Sequence, residues 1–250
     1  MRVPLIIYAL LLLVIDVVAF LDQVLVRPSP LSAPDFGVVM TVLARMCQWM
    51  FIALFAILPI FRLRPIAKSN GIFPRLAPLA AIVLSPMFLF LNRAPSNLAY
   101  NFISVAVSLV AGAMAVVTLS FLGRSFSIMP EARRLVIEGP YKMIRHPVYI
   151  CEILIVFAMF VQYRSVAAAT LVVLIAGVEV ARAIYEEAVL ARAFPEFEAY
   201  RRRTNFLVPS NPIRFFTLFL EDHTALRRLA IVMICAFGLL GLVMTLPKLI

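Results

Sequence analysis

Arg145, His146 and Tyr149 stand together in GPYKMIRHPVY, Gly139 to Tyr149. A guanidinium, an imidazole and a phenol at one turn can bind an anion and move a proton. Gly139-Pro140 permits a sharp turn after Glu138 and brings backbone close to whatever binds there. Pro147 suits the first turn of a helix, whose fresh N-terminus offers unpaired N–H groups. With Arg145 and His146 beside those donors, the pattern predicts an anion site at a membrane surface. The plainer alternative is a basic interfacial turn touching lipid phosphates, with Tyr149 in the aromatic belt.

A second polar block, YEEAVLARAFPEFEAYRRRTNFLVP, runs from Tyr185 to Pro209. Adjacent glutamates on a helix project about 100° apart. Glu186 is therefore expected to stack over Arg182 and Glu179, with Glu187 pointing elsewhere. Val189, Leu190, Phe194, Phe197 and Tyr200 form an apolar stripe, which predicts an amphipathic helix lying at the interface, with Arg201, Arg202 and Arg203 among headgroups. Lipid adhesion accounts for the arginines. It accounts poorly for the glutamates, because acids near an anionic leaflet are unfavourable.

The elements that must position these blocks are nearly all hydrocarbon. Of 250 residues, 64% are apolar and only 14% charged, with a mean hydropathy of +1.01. That composition predicts an all-α, polytopic integral membrane helical bundle. Seven apolar runs are candidate spans: Val3–Leu21, Phe36–Phe61, Ile72–Leu91, Leu98–Leu122, Val148–Tyr163, Val166–Ile184 and Leu229–Leu246. The third, with Pro74, Pro78 and Pro86, should be kinked. The fourth carries small residues suited to close packing: Ser104, Ser108, Ala111, Gly112 and Ala115. The sixth passes without a stop signal into Glu186-Glu187, so one long helix should carry the acids out of the bilayer. Arg27 to Asp35, with Pro28, Pro30 and Pro34, reads as an extended loop. Residues 1–97 then hold three spans, 98–210 the core with both polar blocks, and 211–250 an interfacial segment and a last span.

Two ionisable residues fall inside spans, Asp16 and Arg45. An arginine at that depth needs a partner, and Asp16 or Asp35 could supply it. Cys47, Cys151 and Cys235 lie in or beside apolar runs, with no CxxC and no histidine at ligand spacing. They predict buried thiols, with neither a disulfide framework nor a metal site. The net charge of +10 is expected to reflect arginines lining one membrane face, with no nucleic acid as partner. Eighteen of the 23 basic residues precede the first span, follow spans two, four and six, or sit at the end of span six. Only Arg27, Arg93, Arg164 and Lys248 lie on the other side. That split predicts a cytosolic N-terminus and both polar blocks cytosolic. Just three of the basic residues are lysine, the bias of a GC-rich bacterial genome, which points to a bacterial inner membrane.

GPYKMIRHPVY, followed some 35 residues later by the glutamate pair and then by leucine, phenylalanine, tyrosine, arginine and proline, resembles the isoprenylcysteine carboxyl methyltransferase and phospholipid methyltransferase group of integral membrane enzymes. LGRSFSI, Leu122 to Ile128, is also similar to bacterial members. The resemblance covers Leu119 to Pro209. It implies a cytosolic-face S-adenosylmethionine pocket contacted by Arg145, His146 and Tyr149, with Gly139, Pro140 and Tyr141 shaping the turn. It further implies Glu186 and Glu187 on the polar groups of the cofactor, Glu187 also in a catalytic role, and Arg203 orienting an anionic or polar acceptor head. The chemistry is compatible: the cofactor has a carboxylate for Arg and His, and an ammonium, a sulfonium and ribose hydroxyls for Glu and aromatic faces. Two positions depart from the pattern. Cys151 stands where a small residue, commonly Gly, is usual, and RRRTNFLVP differs from the prenylcysteine enzymes. The implied acceptor is therefore a lipophilic or small molecule reached from the membrane. Carboxylate O-methylation ranks first, then thiol S-methylation, then phospholipid N-methylation. Two other classes stay open: a membrane reductase using NADPH, which some sterol reductases with a similar helical core exemplify, and a non-enzymatic transporter or scaffold built around Arg45 and Asp16.

Overall fold

The computed structural model describes residues 2–25, 36–95 and 97–245. The expected loop Arg27–Asp35, Asp35 as a partner for Arg45, and Lys248 lie outside the described residues. Apolar composition without a β-branched alternation produces helix almost throughout. These are α1 (Arg2–Leu25), α2 (Phe36–Phe61), α3 (Phe73–Leu84), α4 (Leu98–Leu122), α5 (Pro147–Tyr163), α6 (Val166–Ala193), α7 (Phe197–Arg203), α8 (Pro212–Glu221) and α9 (His223–Thr245). The fold is thus an all-α membrane protein. Among the described residues, four helical stretches are long and apolar enough to cross a bilayer: Val39–Phe61, Phe73–Phe90, Leu98–Ser125 and Val166–Ala193. Of the other expected spans, the first lies within α1 and the fifth is the shorter apolar helix Pro147–Tyr163. The last expected span falls within α9.

The centre is α4, which packs against α2 on one side and α5 on the other. Its small residues allow this: a Cβ on Gly112 would sit 3.2 Å from the Cys47 Cβ on α2. On the other side, Ser104 Oγ donates to Ala158 O at 2.7 Å and accepts from Gln162 Nε2 at 2.9 Å. Helix α1 is clasped to α2 by Asp16, which accepts from Arg45 Nη1 at 2.9 Å and Trp49 Nε1 at 2.6 Å. Each charge removes the penalty the other would carry in an apolar setting. The third span changes course as expected. At Ser85–Phe90 it tightens to a 3₁₀ helix, because Pro86 has no N–H to continue the ladder.

Helix α6 is 28 residues long, about 42 Å at 1.5 Å per residue. A hydrocarbon core of about 30 Å is shorter than that, so the helix must tilt or project beyond it. It starts on Ser165, whose Oγ accepts from Ala168 N at 3.1 Å, and packs on α3 and α5. It stops at Phe194, just before Pro195, where the backbone turns extended. The expected amphipathic helix is therefore not one element. Its stripe is divided between the end of α6, with Val189 buried, and the short α7, with Phe197 and Tyr200.

Two small β-ladders close the water-facing end. Ala67–Lys68 pairs antiparallel with Glu131–Ala132, joining the connection after α2 to the one after α4. Ile144 pairs with Asn205, through Arg145 N to Asn205 O at 2.9 Å and Asn205 N to Met143 O at 2.8 Å. The second ladder ties the turn before α5 directly to the segment after α7.

Candidate functional site

His146 occupies the cap position of α5 and is 4% exposed. A buried imidazole needs hydrogen-bond partners, and the end of α6 supplies one for Nε2. Nε2 lies 3.2 Å from Glu187 Oε1, and Nδ1 lies 3.8 Å from Glu186 Oε2. Both adjacent glutamates thus approach one ring, while Arg182 pairs instead with Glu179 and Glu152. The ring stacks on Tyr149 at 5.5 Å and 18°, and Phe206 meets it edge-on at 5.3 Å.

Arg145 is committed to the protein. Its Nε donates to Glu187 Oε1 at 2.5 Å, and Nη1 donates to Arg201 O at 3.0 Å and to Thr204 O. The anion it was expected to attract is supplied by the chain itself. Arg201 Nε adds a contact to the other Glu187 oxygen at 3.6 Å. Glu187 is accordingly enclosed by three donors. Glu186 is not. It accepts from Tyr149 Oη at 2.8 Å through Oε2, and its other oxygen has no partner among the described residues.

Arg145, His146, Glu186, Tyr141 and Tyr200 line one cleft together with Arg134, Val136 and Leu190. Tyr200 Oη donates to Tyr141 O at 2.8 Å. Burial pushes the Tyr200 phenol up, outweighing the pull of Arg145. Burial, reinforced by Glu186, likewise raises the Tyr141 phenol well above its usual value. Both therefore remain O–H donors at neutral pH. The Tyr141 hydroxyl is buried without a hydrogen-bond partner, a state that costs about 1–3 kcal/mol and that an acceptor atom of a ligand would relieve.

Gly139 and Pro140 open instead onto a neighbouring cleft, with Lys142, Met143 and Asp222. Gly139 has φ +57, and a Cβ there would lie 2.5 Å from the Phe121 ring, so only glycine fits. Arg203 is exposed on α7 and makes no ion pair among the described residues. Beneath Tyr149, Arg182 Nη1 contacts Glu179 at 2.6 Å and Glu152 at 3.2 Å, and its guanidinium covers the Tyr149 ring at 4.8 Å. Glu152 escapes a reading by motif. An acid within an apolar run facing an arginine on the next helix is the signal that marks it.

A cleft lined by an imidazole, two acids (Glu131 and Glu186) and two phenols therefore lies on this all-α membrane bundle. Within it, residues 98–196 match the model of the phospholipid methyltransferase family. That stretch runs from the start of α4 through the glutamate pair. Two curated relatives are similar to part of the chain. One is the nickel-cobalt-cadmium resistance protein NccN of Alcaligenes xylosoxydans xylosoxydans, 30% identical over 110 residues, 42% of this chain and 52% of that protein. The other is the cobalt-zinc-cadmium resistance protein CzcN of Cupriavidus metallidurans, 34% identical over 98 residues, 37% of this chain and 45% of that protein. The chain spans about half the length of the curated relatives it matches.

Proposed function

We propose that the protein methylates a lipophilic or small acceptor with S-adenosylmethionine at the cytosolic face of a bacterial inner membrane. The observation that carries this is the convergence of Glu186 and Glu187 on His146, beside a buried, unpartnered Tyr141 hydroxyl. The donor set fits the cofactor: a carboxylate with an unused oxygen suits an ammonium or sulfonium, and a phenol O–H suits a ribose or carboxylate oxygen. When bound, S-adenosylmethionine supplies a methyl group on a positively charged sulfur, which is displaced in line and leaves as the neutral thioether.

The chain's own part is alignment. Glu186, steadied by the Tyr149 hydroxyl, holds the cationic end. Glu187, tied to Arg145 and His146, keeps the turn and the helix end in register, a positioning role more than a contact. Gly139 and Pro140 shape the turn from its far side. Arg203, exposed near the membrane surface, is suited to an anionic acceptor head. A carboxylate or thiolate acceptor needs only partial desolvation, so O-methylation remains the preferred reaction and S-methylation the next. An amine acceptor would have to pass a proton to Glu186 or His146, which ranks phospholipid N-methylation third.

Calorimetry on the purified full chain tests the reading. S-adenosylmethionine should bind and NADPH should not, and His146→Ala should weaken cofactor binding at least tenfold. Binding of NADPH alone would move the protein to the reductase class.

A further inference from the structure

The charges lining the cleft cancel in pairs, with two exceptions. Glu187 is neutralised by Arg145. Glu131, which also lines the cleft, is held by Arg133, by Arg62 at 3.9 Å and by the Ser127 hydroxyl at 3.1 Å. Remaining are Glu186, with its unused oxygen, and Arg134, which is exposed, lines the same cleft and has no hydrogen bond or ion pair among the described residues. Arginine is weakly hydrated and presents a planar fork matched to a carboxylate. Arg145 cannot serve that purpose without giving up its bonds to Glu187 and to the carbonyls of Arg201 and Thr204.

We infer that Arg134 is the carboxylate-binding residue of the cleft, so that Arg134 and Glu186 together hold a zwitterionic amino-acid group, here the methionyl end of the cofactor. This rests on the proposed function and assigns one end of its ligand. One unneutralised cation and one unneutralised anion in a cleft whose other charges are compensated form the complement of an α-amino acid. The neighbouring Tyr141 hydroxyl supplies a further donor. The connection between α4 and α5 thereby contributes a binding residue upstream of the glycine turn, on the strand-like segment anchored by the Lys68–Glu131 pairing.

Two ligands separate the amino-acid end from the nucleoside end. S-adenosylhomocysteine carries both the carboxylate and the ammonium, whereas 5′-methylthioadenosine lacks both and keeps the nucleoside. With full-length protein in nanodiscs, calorimetry should show Arg134→Gln weakening S-adenosylhomocysteine by about tenfold to a hundredfold, as loss of a charge-assisted bond does. Methylthioadenosine should bind wild type and variant equally, and Arg134→Lys should recover part of the loss. Equal weakening of both ligands would mean that the substitution merely deforms the cleft and would overturn the inference. Unchanged affinity for S-adenosylhomocysteine would overturn it as well. Should wild type bind neither ligand, the proposed function itself falls; should it bind both equally, only the assignment of Arg134 does.

Discussion

Glu186 and Glu187 are neighbours with different surroundings, and substitution should separate them. Glu187 sits among Arg145, His146 and Arg201, and its removal leaves the Arg145 guanidinium, 9% exposed, short of its counter-charge. Breaking such a buried pair costs about 3–5 kcal/mol, so Glu187→Ala should lower the thermal unfolding midpoint and abolish cofactor binding together. Glu186→Gln keeps the size of the side chain and an acceptor for Tyr149. It should leave the midpoint near wild type and weaken binding at least tenfold. If both variants lost only binding, Glu187 would be a ligand and not a strut. At this level the motif named residues that do meet, Arg145, His146, Tyr149 and both glutamates. What it missed was who pairs with whom. Sequence spacing reports the direction of a helix face, but the reach of Arg145 to Thr204 depends on a ladder between Ile144 and Asn205 that no local pattern announces.

Helices were legible because hydrocarbon runs must satisfy their backbone internally, and Pro86 and Pro195 mark where the ladder fails. The connections were less so. The pairing of Lys68 with Glu131 joins segments far apart in the chain, and nothing in a two-residue strand distinguishes it from a loop. The turn at Gly139-Pro140 is the element on which both clefts depend, one on each side. Its glycine is required twice over, by φ +57 and by the Phe121 ring against it. Gly139→Ala should cost about 1–2 kcal/mol for the left-handed backbone and about 1–3 kcal/mol more for the overlap. The damage should reach the site, because Tyr141 and Arg145 follow directly. Thermal unfolding and cofactor titration of Gly139→Ala should both be impaired; a variant with wild-type stability would show that the turn can relax.

The whole molecule sets which solution the cleft faces. Arg145, Arg192 and Arg201–Arg203 share the end of the bundle that holds the cleft, whereas Arg93 and Arg164 cap the connections at the other end, where Arg164 also covers the Tyr100 ring at 4.2 Å. Arginine retained on the cytosolic side is the general bias of membrane insertion, and a hydrophilic nucleotide made in the cytosol could reach a cleft there without crossing lipid. The topology can be read with cysteines. Cys47 and Cys151 are buried and Cys235 is exposed, so Cys235→Ser removes the accessible native thiol. In that background Arg93→Cys should react with a membrane-impermeant maleimide on intact cells, and Arg192→Cys, exposed at the end of α6, only after the membrane is opened. The reverse pattern would set the cleft outside, away from any cytosolic supply of S-adenosylmethionine, and the methyl-transfer reading would lose its source of methyl groups.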